Sequence, residues 1–211
     1  MAAGDYVKRF TNYEETLDDF PTPRYATRAL VEQVIGVNRL VDASVLEPAC
    51  GRGHIVETLK EYDIAAYGAD IKDYGHPDCE VEDFLARDGE GGFDFVITNP
   101  PYKMAEAFFF QGMKIARRGV ALLVRDQWMA SIGRYDRIFS KTPPTDVAIF
   151  SKHISATKGK VIRTGSCMLG HVWLYWDKTD SVRNPPSWLA PTISKTLEKP
   201  GDYDKFPWEI C

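Results

Sequence analysis

At 211 residues, 44% hydrophobic and 27% charged, the chain has the size of one globular domain with a short appendage, and its composition excludes a fibrous or disordered protein. A net charge of −4 excludes a surface coated with cations for nucleic acid. No apolar run approaches the ~18 residues of a membrane span, and the opening stretch MAAGDYVKRFTNYEE has no apolar core like that of a signal peptide, so a cytoplasmic protein is expected.

Cys50, Cys79, Cys167 and Cys211 are scattered and form no CxxC pair; in a reducing compartment they read as free thiols. His76 and Cys79 are spaced like half of a metal site, but no second pair joins them, so no metal is expected.

Residues 1–20 are acidic and aperiodic and read as an arm over the surface. A helix is expected from about Thr22: Thr22 suits an N-cap, Pro23 suits the first turn, and Ala26, Leu30, Val34 and Val37 follow at helical spacing. Residues 44–62 read as a short buried strand, a glycine turn, and a helix that packs through Ile55, Leu59 and Tyr62. AAYGAD (65–70) is a second strand, and the stretch from Cys79 to Phe84 holds a short third. FDFVITN (93–99) is a fourth, residues 103–118 a helix, and GVALLV, ending near Arg125, a fifth. Residues 128–139 look helical. DVAIFS (146–151) and the stretch 167–176 close the series.

Strands alternating with helices over this length imply an α/β fold: a Rossmann-like three-layer sandwich on a mostly parallel, seven-stranded sheet. The last two strands lack a helical pattern between them and are expected to pair antiparallel. Their connection, residues 152–166, is long and basic. From Val147 to Trp176 there is no Asp or Glu, while Lys152, Lys158, Lys160 and Arg163 fall inside the window. Such a stretch suits either a phosphate backbone or plain solvation. The expected organisation is an arm (1–20), one catalytic domain (21–176) and a Pro-rich tail (177–211), with no separate target-recognition domain.

Two motifs carry chemistry. Glu47-Pro48-Ala49-Cys50-Gly51-Arg52-Gly53 joins a strand to a helix, where glycines admit a ligand to the backbone and the helix start offers free N–H groups. Asp70 ends the next strand, at the place where doubly wound nucleotide-binding folds put a carboxylate on the ribose hydroxyls. Asp83 and Phe84 could add a polar contact and an aromatic face. A nicotinamide dehydrogenase would share all of this. Asn99-Pro100-Pro101-Tyr102, at the end of the fourth strand, discriminates. Two prolines stiffen the backbone, so that the Asn99 side-chain oxygen and the Pro100 carbonyl can accept both hydrogens of one planar amine. That grip favours a pyramidal nitrogen and frees its lone pair for a methyl electrophile. Tyr102 offers a ring for stacking.

With these motifs in this order, residues 20–176 resemble the class I S-adenosylmethionine-dependent methyltransferases, in particular the gamma-ordered adenine-N6 DNA methyltransferases. The resemblance implies S-adenosyl-L-methionine as cofactor. Phe20-Pro21-Thr22-Pro23 resembles the segment preceding the cofactor loop, with Thr22 on the methionine moiety. Glu47, Pro48, Ala49 and Gly51 would lie near the methionine part, Asp70 and Ile71 would hold ribose and adenine, and Asp83 and Phe84 the adenine. Asn99, Pro100, Pro101 and Tyr102 would be catalytic, and residues 122–129 resemble the strand that follows. Two features depart from the pattern. Only 35 residues follow Trp176, and Lys152-His153-Ile154 stands where relatives place an aromatic on the flipped base.

The resulting expectation is methylation of the N6 amine of adenine in DNA, with a flipped base and with Lys152, His153, Lys158, Lys160 and Arg163 toward the phosphates. The alternatives are an RNA base, a protein glutamine, or a non-catalytic partner subunit. Given the net negative charge, binding to DNA is expected to need a recognition partner or a homodimer that combines two basic loops.

Overall fold

The computed structural model describes residues 19–163 and 170–209. The expected arm falls almost wholly on residues 1–18, and the start of the last expected strand on residues 164–169; both lie outside the described part. The main sheet contains β1 (Ser44–Glu47), β2 (Ala65–Asp70), β3 (Cys79–Val81), β4 (Phe93–Thr98), β5 (Ala116–Arg125), β6 (Asp146–Phe150), β9 (His171–Asp177) and β10 (Ser187–Leu189). A separate hairpin pairs β7 (Ala156–Thr157) with β8 (Lys160–Val161). The sheet order is β3-β2-β1-β4-β5-β9-β6-β10. All pairs are parallel except those of β9, which runs antiparallel to both β5 and β6.

Side-chain alternation along each strand divides the core into two layers. Val45, Phe95, Ile97, Ala121, Leu123, Trp173 and Tyr175 face one side. There they meet α1 (Arg24–Leu30, continued as a wider π turn to Ile35) and α3 (His54–Lys60). Leu46, Val96, Val120, Leu122, Val124, Leu174 and Trp176 face the other side. That layer is closed by α4 (Ala105–Ile115) and by Ile138 in the turns beyond α5 (Ile132–Arg134). A short α2 (Val37–Leu40) links α1 to β1.

Three local expectations differ from what is seen. The first helix begins at Arg24 with Pro23 as its N-cap; the Thr22 hydroxyl instead accepts a hydrogen bond from the Asn99 amide. The helix expected over 103–118 stops at Ile115, because Ala116 and the two arginines after it extend β5, and Phe93 pairs with Ala116. The sheet has eight strands rather than seven, since the segment after Trp176 returns β10 alongside β6 and buries Leu189.

The same segment adds α6 (Ile193–Leu197) and an ion-pair anchor. Arg28, 1% exposed, pairs with Asp202 and Glu61 at 2.6 and 2.8 Å. A buried guanidinium persists only with its donors satisfied, so Asp202 fixes residues 187–209 to α1. Among the described residues no helix is long and apolar enough to cross a membrane.

Candidate active site

The position of the site follows from topology. β1 is flanked by β2 on one side and β4 on the other, so the strand order reverses there and a crevice opens at the carboxyl ends of β1 and β4. The loop after β1 is Pro48–Gly53 and the loop after β4 is Asn99–Tyr102. Both sequence motifs therefore meet at one cleft.

Gly53 is required by packing. It adopts φ 87°, and a Cβ there would lie 2.0 Å from the His76 ring. His76 is held by Glu57, 3.2 Å from its Nε2, while its Nδ1 accepts from the Asp78 amide. Among the described residues no cluster of three metal-ligating side chains occurs. Cys50 and Cys79 are joined in a disulfide, contrary to the expectation of free thiols. The reason is Gly68, which pairs with Cys79 across the sheet and whose missing side chain leaves room for Cys50; a Cβ at Gly68 would meet the Cys50 sulfur at 3.1 Å.

The cleft is lined by Thr22, Glu47, Pro48, Ala49, Gly51, Asp70, Ile71, Asp83, Phe84 and Asn99, together with Pro101. All ten residues expected around a cofactor thus come together. Pro100 is buried and, like Tyr102, lies beside the cleft rather than in its lining. Asp19, His54, Tyr74, Met104 and Phe108 also line it and were not anticipated. Phe108 carried a weak signal as part of an aromatic run on a helix; Tyr74 carried none.

Two buried carboxylates dominate the electrostatics. Asp70 accepts from the Gly51 amide at 2.8 Å and from the Lys72 amide at 3.1 Å. Burial nevertheless pushes its carboxyl above the usual range. Glu47 is 1% exposed, and neither of its oxygens meets a donor at hydrogen-bonding geometry. Burial, reinforced by the Asp70 charge, pushes Glu47 well above the usual carboxylate range; Thr98 and the Asn99 and Ala49 amides offset this only in part. A buried acid with only these weak polar contacts is stabilised when a ligand supplies a cationic partner.

Asn99 is oriented by the segment ahead of α1. Its amide nitrogen donates to the Phe20 carbonyl and to the Thr22 hydroxyl, both at 3.1 Å. With the nitrogen engaged, the side-chain oxygen is the acceptor that remains. Asp83 caps the turn at Phe84–Ala86 by accepting from the Leu85 amide, and this holds Phe84 against Phe108, ring centres 5.1 Å apart.

The basic connection sits at the mouth of the cleft. In the β7–β8 hairpin the Gly159 amide donates to the Asp19 carbonyl at 2.7 Å, and Asp19 pairs with Arg52 at 2.8 Å. Lys152, His153, Lys158 and Lys160 are exposed. Arg163 is engaged elsewhere, 3.5 Å from Glu198 and over the Tyr203 ring.

No family model matches the chain. It is 28% identical over 138 residues to the modification methylase CviBIII of Paramecium bursaria Chlorella virus NC1A, covering 56% of this chain and 36% of that protein. The chain thus spans about a third of the length of the curated relative it matches. Among solved structures, a protein assigned as an RNA methyltransferase from Pyrococcus horikoshii superposes with a TM-score of 0.61 at 14% identity, over 83% of this chain and 95% of that one. One assigned as a class I S-adenosylmethionine-dependent methyltransferase from Listeria monocytogenes gives 0.59 at 15% identity, over 92% and 73%.

The chain has the class I methyltransferase fold.

A modification subunit assigned to a type I restriction enzyme of Vibrio vulnificus YJ016 shares that fold, with a TM-score of 0.59 at 14% identity, over 92% of this chain and 55% of the subunit. The residues that line the cleft fit S-adenosylmethionine. Glu47 is a buried acid suited to a cationic group, Asp70 is a carboxylate at the end of β2 suited to hydroxyl donors, and Ile71 with Phe84 supplies an apolar wall for a flat base.

Proposed function

We propose that the protein is an S-adenosylmethionine-dependent N-methyltransferase that acts on the N6 amine of adenine in DNA. The observation that carries this reading is the orientation of Asn99: its nitrogen is spent on Phe20 and Thr22, so its oxygen is available to the substrate at the edge of a cleft that already holds Glu47 and Asp70. The likeness to a viral modification methylase over 138 residues supports a DNA substrate.

Glu47 and Asp70 would hold the cofactor, Glu47 through its cationic part and Asp70 through the ribose. When bound, S-adenosylmethionine supplies an electrophilic methyl group. The protein's part is orientation. The Asn99 oxygen and the Pro100 carbonyl accept the two N–H bonds of the target amine, and Pro101 stiffens that corner. Tyr102 stacks on the base. The amine would gain the methyl group as the bond from that carbon to the cofactor sulfur breaks, leaving the neutral thioether, and would release one proton to water; no strong general base is required. The exposed Lys158 and Lys160 stand where they can meet phosphates. Arg163 has a weaker claim to that role, since Glu198 already neutralises it.

The test is transfer of labelled methyl groups to DNA, RNA and protein pools, followed by nucleoside analysis. N6-methyladenine in DNA supports the reading. Label confined to RNA or to protein would replace the substrate, and absence of label from every pool would overturn the activity.

A further inference from the structure

One cation beside the proposed catalytic loop has no role so far. Arg125 is the last residue of β5, the strand next to β4, and its guanidinium carbon lies 3.7 Å from the centre of the Tyr102 ring. Phe20 approaches the same ring at 5.9 Å. Stacking on an aromatic face holds a guanidinium by cation–π attraction and fixes its plane. The Arg125 Nε is buried without an acceptor, and among the described residues the guanidinium makes no ion pair or hydrogen bond.

The other arginines nearby are committed. Arg134 donates to the Trp128 carbonyl, and Arg137 is paired with Glu106. Asp126, the acid next in sequence, spends one oxygen on the Gln127 amide. Arg125 therefore keeps a full positive charge and a set of unspent donors against the ring that is read as the base platform.

We infer that Arg125 binds a phosphodiester flanking the target nucleotide. The inference rests on the nucleic-acid reading of the site. The guanidinium covers one face of the Tyr102 ring, so a nucleotide whose base lies on the other face brings its backbone past the edge of the ring toward the guanidinium. The planar fork matches two phosphate oxygens at once, and because stacking sets the plane in advance, little side-chain freedom is lost on binding. Lysine would supply the charge without the plane.

The same fork could read a guanine edge, and the test separates the two. Affinity for mixed-sequence DNA duplexes and for an RNA strand of equal length is measured by fluorescence anisotropy across a salt series. The proteins are wild type, Arg125→Met and Arg125→Lys, with melting temperature and cofactor affinity as controls of folding. Arg125→Met is expected to weaken duplex binding about tenfold for every sequence and to reduce the slope of log affinity against log salt by about 0.9. Arg125→Lys is expected to restore the slope but not the full affinity, and it alone carries the test if the methionine variant fails to fold. An unchanged slope in Arg125→Met overturns the inference, as does full affinity in Arg125→Lys or a loss confined to one sequence, which would mark a base reader. If those variants behave like a wild type that still methylates nucleic acid, only the Arg125 inference falls. A wild type that binds neither nucleic acid removes the reading beneath it as well.

Discussion

The amide nitrogen of Asn99 lies 3.1 Å from the hydroxyl of Thr22, 77 positions earlier in the chain. That bond ties the segment before α1 to the proposed catalytic corner, because it sets which end of the Asn99 amide is left for a substrate. Thr22→Val keeps the shape and removes the acceptor. It is expected to lower kcat about tenfold, the loss of roughly one hydrogen bond, with a smaller change in cofactor affinity. Steady-state kinetics with separate calorimetry of cofactor binding checks this, and equal losses in both would show that Thr22 only shapes the pocket.

Asp70 accepts from the Gly51 amide and lines the cleft, so it supports the loop after β1 and, in the proposed function, a bound ribose. Asp70→Asn should weaken cofactor binding about ten- to a hundredfold, the range for hydrogen bonds to a charged group. A dissociation constant unaltered by calorimetry would refute the ribose assignment.

Glu47 gives a pH signature. Burial holds its carboxyl well above the usual range, whereas a cationic ligand favours the ionised form. Binding should therefore release a proton, and affinity should rise with pH up to the free-protein pKa by as much as about tenfold per unit. Calorimetry in buffers of different ionisation enthalpy measures the proton directly. Glu47→Gln should abolish the pH dependence, and proton uptake on binding would contradict the assignment.

His54 reports on stability. Burial, aided by Arg24, Arg52 and His76, lowers its pKa to about 3, against about 6.5 when unfolded. A depressed folded pKa means that stability is fully present above pH 6.5 and is lost as pH falls toward 3. Glu47 and Asp70 are shifted upward and titrate with the opposite sign, so the measurement has to be a difference. His54→Gln, relative to wild type, should gain about 2 kcal/mol in unfolding free energy between pH 7 and pH 5. A pH-independent difference in urea unfolding would show that His54 is not held neutral.

The tail is expected to be part of the fold. Asp202→Ala leaves Arg28 buried with one of its carboxylates gone and should cost about 3–5 kcal/mol. Chemical denaturation measures this, and a loss below about 1 kcal/mol would mean that water or Glu61 replaces Asp202.

How much of this was legible in the sequence depended on distance along the chain. The turn at Glu47–Gly53, Asp70 and the Asn99–Tyr102 corner are short motifs at strand ends, so their place in or beside the cleft could be read from spacing and from the reversal of strand order. The layer assignment followed from alternation, as with Phe95 and Ile97 against Val96. Long-range pairings could not be read this way. Arg28 and Asp202 are separated by 174 positions, and neither pattern nor propensity links them. The Cys50–Cys79 disulfide depends on Gly68 leaving a gap between two strands, which no cysteine spacing reveals. Thr22 looked like a helix cap because its residue type suits one; the tertiary bond to Asn99 won.

The most direct measurement is labelled methyl transfer to DNA by wild type and by Asn99→Ala, with cofactor binding followed in parallel. Wild type should yield N6-methyladenine, while Asn99→Ala should lose at least about a hundredfold in rate and still bind the cofactor. Equal rates in the two proteins would contradict the proposal that the Asn99 oxygen grips the target amine.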